Sequence, residues 1–82
     1  MVDRLARAVS RAAGSRQVLR GVREGKLVVA YVARDADPFV TRPVADACEK
    51  VGVPVIEVDD MASLGKACGL SVGAAAAGIL RG

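Results

Sequence analysis

The 82-residue chain has no histidine and no tryptophan, and Tyr31 and Phe39 are its only aromatic residues. Without histidine, it lacks the most common general base and metal ligand of proteins. With so few aromatic rings, it has little means of stacking on unpaired bases, the usual device of proteins that bind single-stranded nucleic acid. Any contact with nucleic acid must therefore rely on hydrogen bonds, charge and apolar packing.

The sequence also lacks the cysteine spacing of a metal site. Cys48 and Cys68 are the only cysteines, and neither belongs to a CxxC motif or has a histidine to share a metal with. This pattern indicates neither a zinc site nor a disulfide framework. We therefore expect two buried thiols, no metal and no cofactor.

No apolar run is long enough to cross a bilayer. The longest nearly apolar stretch, residues 67–80, is interrupted by Ser71 and is shorter than the roughly 20 residues that a spanning helix needs. A chain of 82 residues can form one layered core but not two. The sequence predicts a single cytoplasmic domain over residues 1–82 that makes no contact with a membrane.

Arginine is what the sequence has in excess, and it is concentrated near the N-terminus. The formal net charge is +3, whereas residues 1–26 carry seven basic and only two acidic side chains. Arg16, Arg20 and Arg23 follow at helical spacing, where like charges destabilise an isolated helix by roughly 0.2–0.5 kcal/mol per pair. We expect no local partner for this arginine stripe and interpret it as a surface for a polyanion. A solvated helix face is the alternative.

Two helical patterns precede the first strand. Residues 3–12 place apolar and basic side chains on opposite sides, which predicts an amphipathic helix, with a very short strand around residues 11–13 as an alternative for its end. Ser15 is a favourable N-cap for a second helix, and Gly25 ends its pattern.

The remaining elements alternate between strand and helix. Residues 27–33 predict a central strand that is buried on both faces, and residues 54–58 predict a second strand. The alanines of residues 72–80 favour a helix, but two internal glycines and the preceding alternation favour a closing strand against which another element packs closely. We predict the strand.

Two further helices are expected around these strands. A turn at Asp35, Asp37 and Pro38 leads into a helix over about residues 42–51, with Pro43 in its first turn. Asp59 or Asp60 caps the helix that ends at Gly69. The order of elements predicts an α/β fold, a three-layer α/β/α sandwich with a small mixed sheet of about four strands.

Catalysis has weak support in the sequence. The acidic pairs Asp35/Asp37 and Asp59/Asp60 are the best candidates for acid–base chemistry, but both stand where a strand ends and a helix begins, so helix capping explains them. Gly65–Lys66 does not form a phosphate-binding P-loop, because Asp60 replaces the upstream glycine. We expect no enzymatic activity.

Three segments together resemble one known family. They are residues 14–20 (GSRQVLR), 32–38 (VARDADP) and 64–72 (LGKACGLSV). In this order they are similar to the L7Ae/L30e family of ribosomal proteins, and most closely to its short bacterial members of the YbxF type. The resemblance implies an α/β/α sandwich that binds kink-turn RNA, a sharply bent duplex with tandem sheared G·A pairs.

The resemblance also implies which residues of the second helix contact RNA. Gly14 and Ser15 would form the turn that opens the recognition helix. Arg16 stands where the family usually has asparagine, which shifts that place towards phosphate contact. Gln17 stands where the family usually has glutamate and keeps a carbonyl that can accept from a guanine amino or imino group. Arg20 would fork onto guanine O6 and N7 or onto a phosphate.

The other implied contacts lie in loops. Asp37 would accept a hydrogen bond from the RNA or cap the helix that follows it. Leu70, Ser71 and Val72 would pack against bases displaced at the bend, or else close the core. Lys66 would contact phosphate or face solvent. The implied partner is a structured RNA, ribosomal or riboswitch-like, bound by a monomer; a protein-interaction module of the same fold is the alternative.

Overall fold

The computed structural model describes residues 3–81 and confirms the α/β fold. Its elements are α1 (Asp3–Arg7), β1 (Arg11–Ala13), α2 (Ser15–Arg23), β2 (Leu27–Ala33), α3 (Pro38–Val51), β3 (Val55–Val58), α4 (Met61–Ala67) and β4 (Ala76–Leu80). The strands form one four-stranded sheet in the order β1-β4-β2-β3. The pair β2–β3 is parallel, and β4 is antiparallel to both β1 and β2, so the sheet is mixed, as predicted.

The sheet separates two apolar clusters, one on each face. Val29, Tyr31 and Ala33 of β2 pack in the cluster that includes residues of α1 and α4. Ala30 and Val32 of β2 pack in the other, with residues of α2 and α3. The central position and the two-sided burial predicted for β2 are both confirmed.

A β-bulge sets the face on which β2 begins. Leu27 and Val29 are two residues apart and would normally share a face of the sheet, yet they pack in different clusters. The register with β4 shifts between these two residues, and this shift turns the Leu27 side chain towards α2 and α3.

The predicted helix over residues 3–12 is wrong beyond Arg7. Residues 11–13 instead form the edge strand β1, as in the alternative prediction, and this strand pairs with β4 from Arg11 opposite Ile79 to Ala13 opposite Ala77. Ala12 is completely buried in the sheet, whereas Val9 is 98% exposed. Strand pairing and the burial of Ala12 outweigh the local helical pattern, because isolated short helices are marginal in water.

The starts of α2 and α3 also differ from the predictions. Gly14, not Ser15, is the N-cap residue of α2, and its φ of 93° lies in the region that favours glycine. The third helix begins at Pro38, four residues earlier than predicted, because Asp37 caps it by accepting a hydrogen bond from the Phe39 N–H at 2.9 Å. Pro43 therefore lies inside α3 instead of in its first turn.

The last third of the chain follows the prediction more closely. The cap of α4 is Asp60, whose Oδ1 accepts from the Ser63 N–H at 2.7 Å. The closing segment is a strand, although it begins at Ala76. A β-carbon on Gly78 would lie 2.5 Å from Leu27 Cδ1, so the expected close packing on this strand is confirmed.

The loop after α4 folds back and packs unusually close to this helix. A β-carbon on Gly65 would overlap the backbone carbonyl oxygen of Val72 and lie 3.0 Å from the Gly73 Cα. The loop then joins the start of the helix, where the Ala74 N–H donates to the Met61 carbonyl at 3.0 Å. The segment from Gly69 to Ala75 is therefore held against the body of the protein.

The Asp60 cap makes folding stability depend on pH. Hydrogen bonds from the backbone N–H and then the hydroxyl of Ser63 lower the pKa of Asp60 below its ordinary value of 3.8. A lowered pKa in the folded state means that this stabilisation is present above pH 3.8 and is lost as the pH falls further. We expect Asp60→Ala to lower the melting temperature at pH 7 by several degrees, with the deficit shrinking in acid. Circular dichroism at a series of pH values measures this. Asp59→Ala is the control, and an equal loss there would assign the effect to charge alone.

Gly65→Ala should destabilise the protein, although alanine is the better helix former. The new methyl group meets backbone atoms that cannot rotate away, so we expect a net cost of roughly 1–3 kcal/mol in the free energy of unfolding. Gly21→Ala in α2 is the matched control, because its new methyl group would meet chiefly the mobile end of the Leu80 side chain, at 2.9 Å. Urea denaturation compares the two variants, and similar stabilities would contradict the proposed backbone clash.

Candidate nucleic-acid interface

The starts of three helices lie together at one edge of the sheet, the edge at which strands β1, β2 and β3 end. Strands β1 and β2 are both antiparallel to β4, and β3 is parallel to β2, so β1, β2 and β3 all end at this edge. Helices α2, α3 and α4 follow these three strands, and β4 begins here. Three hydrogen bonds tie the segments together: Gly14 N–H to Ala76 O at 2.9 Å, Ala33 N–H to Ala75 O at 2.9 Å, and Met61 N–H to Asp35 Oδ1 at 2.8 Å.

The start of α2 offers free backbone donors at this edge. No side chain caps the helix, and its first turn contains no acidic residue. The N–H groups of Ser15, Arg16 and Gln17 precede the first helical hydrogen bond, from Val18 to the Gly14 carbonyl, and have no acceptor within the helix. Together with the positive end of the helix dipole, they form a favourable environment for an anion.

Gln17 folds back towards the strand before it. Its Oε1 accepts from the Ala13 N–H at 3.0 Å. Because β1 is an edge strand, this bond satisfies a backbone donor that the sheet leaves unpaired. The Gln17 carbonyl thus already accepts one hydrogen bond within the protein, and its second lone pair can still accept another.

The arginine stripe is exposed but not without a local partner. Arg16, Arg20 and Arg23 all face solvent. Arg20 Nε lies 3.4 Å from Glu24 Oε2, with the two side chains 73% and 43% exposed, so the expectation of no partner on the helix is wrong for Arg20. An exposed pair of this kind contributes about 0.3–0.5 kcal/mol, too little to hold Arg20 against a stronger ligand.

The loop after α4 presents apolar side chains to solvent. Leu70 is 40% exposed, Val72 is 68% exposed, and Ser71 is also exposed. The exposure of Ser71 and Val72 disfavours core closure as their role, whereas Leu70 is more than half covered. Because Ala75 and Ala76 bond to the ends of β2 and β1, the loop leads directly to the start of α2.

Arg11 has a structural role that the sequence did not reveal. Its Nη1 donates to the Ala67 carbonyl at 2.8 Å and thereby joins the edge strand to the C-terminal end of α4.

The two cysteines differ in burial. Cys68, the residue after Ala67, is half-buried, whereas Cys48 is fully buried. The prediction of two buried thiols is therefore right only for Cys48. Burial raises the pKa of the Cys68 thiol, and the Arg11 charge partly offsets this shift.

The acidic residues at this edge stabilise helix starts. Asp35, Asp37 and Asp60 each accept a backbone N–H, at 2.8, 2.9 and 2.7 Å respectively, which supports the capping interpretation for these three residues. Asp37 remains exposed beside its cap. Lys66 is exposed in the last turn of α4, directly before the loop.

The exposure of Phe39 was not predicted from the sequence. This ring is 89% exposed in the first turn of α3 and lines a depression of about 290 Å³ with Pro38, Arg42, Pro43 and Asp46. Because Pro43 has no N–H, the Phe39 carbonyl lacks its usual helical donor on this side of the helix. The sequence contained a weak signal for this exposure. At helical spacing, residues 39, 42, 43 and 46 lie on one face of the helix, away from Val44 and Cys48.

Within residues 3–81, no group of three or more histidine, cysteine, aspartate or glutamate residues is placed to hold a metal ion. Nor does any helix in that range have the length and apolar character needed to span a bilayer.

Comparison with known proteins places this geometry in a family. The model of the Ribosomal protein L7Ae/L30e/S12e/Gadd45 family matches residues 2–82. An RNA-binding protein of Geobacillus sp. is 47% identical over 68 residues, 83% of each chain. The RNA-binding protein YbxF of Geobacillus stearothermophilus is 46% identical over the same length and coverage. Among solved structures, the Giardia lamblia 15.5kD RNA binding protein superposes with a TM-score of 0.86 at 32% identity, covering 99% of this chain and 68% of the other. The chain belongs to the Ribosomal protein L7Ae/L30e/S12e/Gadd45 family.

Proposed function

We propose that this protein is a non-enzymatic RNA-binding protein that recognises kink-turn RNA and associates with the ribosome in the cytoplasm. The relatives named as RNA-binding proteins support the broader part of this proposal. The narrower part, recognition of kink-turn RNA, rests on one hydrogen bond that joins two segments of the surface. The Gly14–Ala76 hydrogen bond, at 2.9 Å, brings the exposed start of α2 beside the strand that follows the apolar loop.

These two elements fit different parts of a bent RNA duplex. The start of α2 offers three kinds of donor: its free backbone N–H groups, the side chain of Arg16 and the side chain of Arg20. These donors can bond to guanine edges and to phosphates that the bend brings close together. Leu70 and Val72 offer apolar contacts to bases that leave the stack. Asp37 at the start of α3 would act as an acceptor, Lys66 in the last turn of α4 would contact phosphate, and Ser71 would add a hydroxyl group.

The protein would then recognise the RNA by shifting its equilibrium from the open form to the bent form. A free kink-turn interconverts between open and bent forms, and a protein that contacts only the bent form favours it by its differential affinity. The natural target would be a kink-turn in ribosomal RNA or in a riboswitch-like RNA, bound by one copy of the protein.

A protein-interaction role is the second candidate function. The exposed Phe39 and its two neighbouring prolines favour it, since aromatic side chains are enriched at protein interfaces. On this alternative, affinity for RNA would be weak and independent of RNA shape.

The proposal predicts a preference for bent RNA that survives salt. The purified protein is titrated with a kink-turn RNA and with the same duplex carrying Watson–Crick pairs in place of the sheared G·A pairs, each at two salt concentrations. We expect the kink-turn to bind more tightly at both. Equal affinities that fall together as salt rises would reduce the arginine stripe to a general polyanion surface and favour the protein-interaction role.

Arg20→Ala should weaken binding of kink-turn RNA by about 1–3 kcal/mol and leave the fold intact, since Arg20 is exposed on α2. Arg81→Ala is the control for charge. Arg81 is exposed, and its N–H donates to the Lys26 carbonyl at 2.8 Å, at the opposite end of the sheet from the start of α2. Titration of both variants with kink-turn RNA compares the two losses of affinity, and we expect the larger loss for Arg20→Ala. If Arg20→Ala weakened bent and straight duplexes equally, Arg20 would only neutralise phosphate.

A further inference from the structure

The outer side of α3 presents an aromatic ring to solvent. Phe39 is 89% exposed, whereas Tyr31, the other aromatic residue of the chain, is buried in the core. A ring left in water forgoes much of the stabilisation that burial would give it. The Asp37 cap explains why the helix begins here, but it does not explain why the first turn carries this ring.

The ring is part of a helix face that combines an apolar row with a charged row. Phe39 and Pro43 are four residues apart and form the apolar row, and Arg42 and Asp46, at the same spacing, form the charged row beside it. All four residues line the depression of about 290 Å³, together with Pro38. An apolar cavity of about 150 Å³ can hold a benzene ring, so this depression has room for a second phenyl ring.

The two charges of this face have no partner on the protein itself. Arg42 and Asp46 are both exposed. Their spacing would allow an ion pair along the helix, yet within residues 3–81 the ion pairs are Arg20–Glu24 and Arg34–Glu57, and neither involves Arg42 or Asp46. Both groups are therefore available to a ligand of this face.

The balance of charge distinguishes between kinds of partner. A polyanion such as RNA binds to an excess of positive charge, whereas this face carries one base and one acid, and Asp37 adds a second acid where the helix begins. A contact with two-fold symmetry instead needs a surface that is complementary to itself. One positive and one negative charge beside an apolar row meet this condition.

We propose that the Phe39 face, residues 38, 39, 42, 43 and 46, is a contact between two copies of this protein. The two α3 helices lie antiparallel about a two-fold axis at Arg42 and Pro43. Phe39 of each copy then packs beside Pro43 of the other, and Arg42 of each copy pairs with Asp46 of the other.

This dimer goes beyond the proposed function and does not depend on it. The start of α2 and the loop after α4 lie outside the Phe39 face, so each copy keeps its own candidate RNA interface. The contact is small, and small interfaces are weak. The dimer therefore dissociates at the low protein concentrations of an RNA titration, where one copy binds one RNA.

Sedimentation equilibrium of the full chain without RNA tests the contact. We expect the average mass to rise from that of one chain towards that of two between about 10 μM and 1 mM protein. Phe39→Ser should weaken self-association by about 10-fold or more, because it removes the aromatic anchor. Val9→Ser is the matched control, since Val9 is 98% exposed and lies outside the Phe39 face, and it should associate like wild type.

Two charge reversals test the antiparallel pairing. Arg42→Glu and Asp46→Lys each place like charges opposite one another in the dimer, so each variant alone should self-associate at least about 10-fold more weakly than wild type. Mixed in equal amounts, the two variants should form a heterodimer about as stable as the wild-type dimer, because both cross-pairs again join opposite charges. If mixing did not restore association, the proposed contact would be wrong.

The remaining outcomes also decide the proposal. Wild type that stays a single chain at about 1 mM would overturn it and leave the Phe39 face to a different protein. A loss of kink-turn affinity in Phe39→Ser, with no change in mass at any concentration, would assign the ring to RNA instead. Melting temperatures equal to that of wild type show that each variant is folded, as expected for exposed positions.

Discussion

The structure depends on the insertion of β4 between β1 and β2. This strand comes last in the chain, and both of its partners come before it, so the sheet closes only when the two ends of the chain meet. Its small residues Ala76, Ala77 and Gly78 are buried, which allows both helical layers to approach the sheet closely. The same strand links the apolar loop to the start of α2. The core of the protein and the candidate interface therefore share this strand.

Much of the fold could be read from local patterns in the sequence. The strand over residues 27–33 has the predicted bounds, because a continuous apolar run between charged residues has few other solutions. The strand at the end of the chain was harder to predict. Alanine favours a helix locally, and only the alternation of the preceding elements indicated a strand. The error at residues 8–12 has the same origin, since the pairing partner of this segment, β4, lies about 65 residues further along the chain.

The candidate site was only partly predictable. The turn at Gly14, the arginine stripe and the loop at Leu70 were visible as segments, and their meeting at one edge follows from the topology of the sheet. The hydrogen bond from the Ala13 N–H to Gln17 was not visible, because it depends on an edge strand that the sequence did not clearly predict. Arg11 and Glu24 were counted only as charges, although Arg11 joins two elements and Glu24 pairs with Arg20. Side-chain pairing of this kind is decided by tertiary geometry.

The contact between Gly65 and the loop has a consequence for the thermodynamics of binding. A free loop that becomes ordered on a ligand loses roughly 1–2 kcal/mol of backbone entropy per residue, which subtracts from affinity. Here the Val72 carbonyl rests on α4, and the Ala74 N–H is bonded to Met61, so this entropy is lost when the protein folds. The backbone that carries Leu70 and Val72 is thus held in place before any ligand arrives. The absence of a side chain at Gly65 thereby preorganises the backbone of the loop.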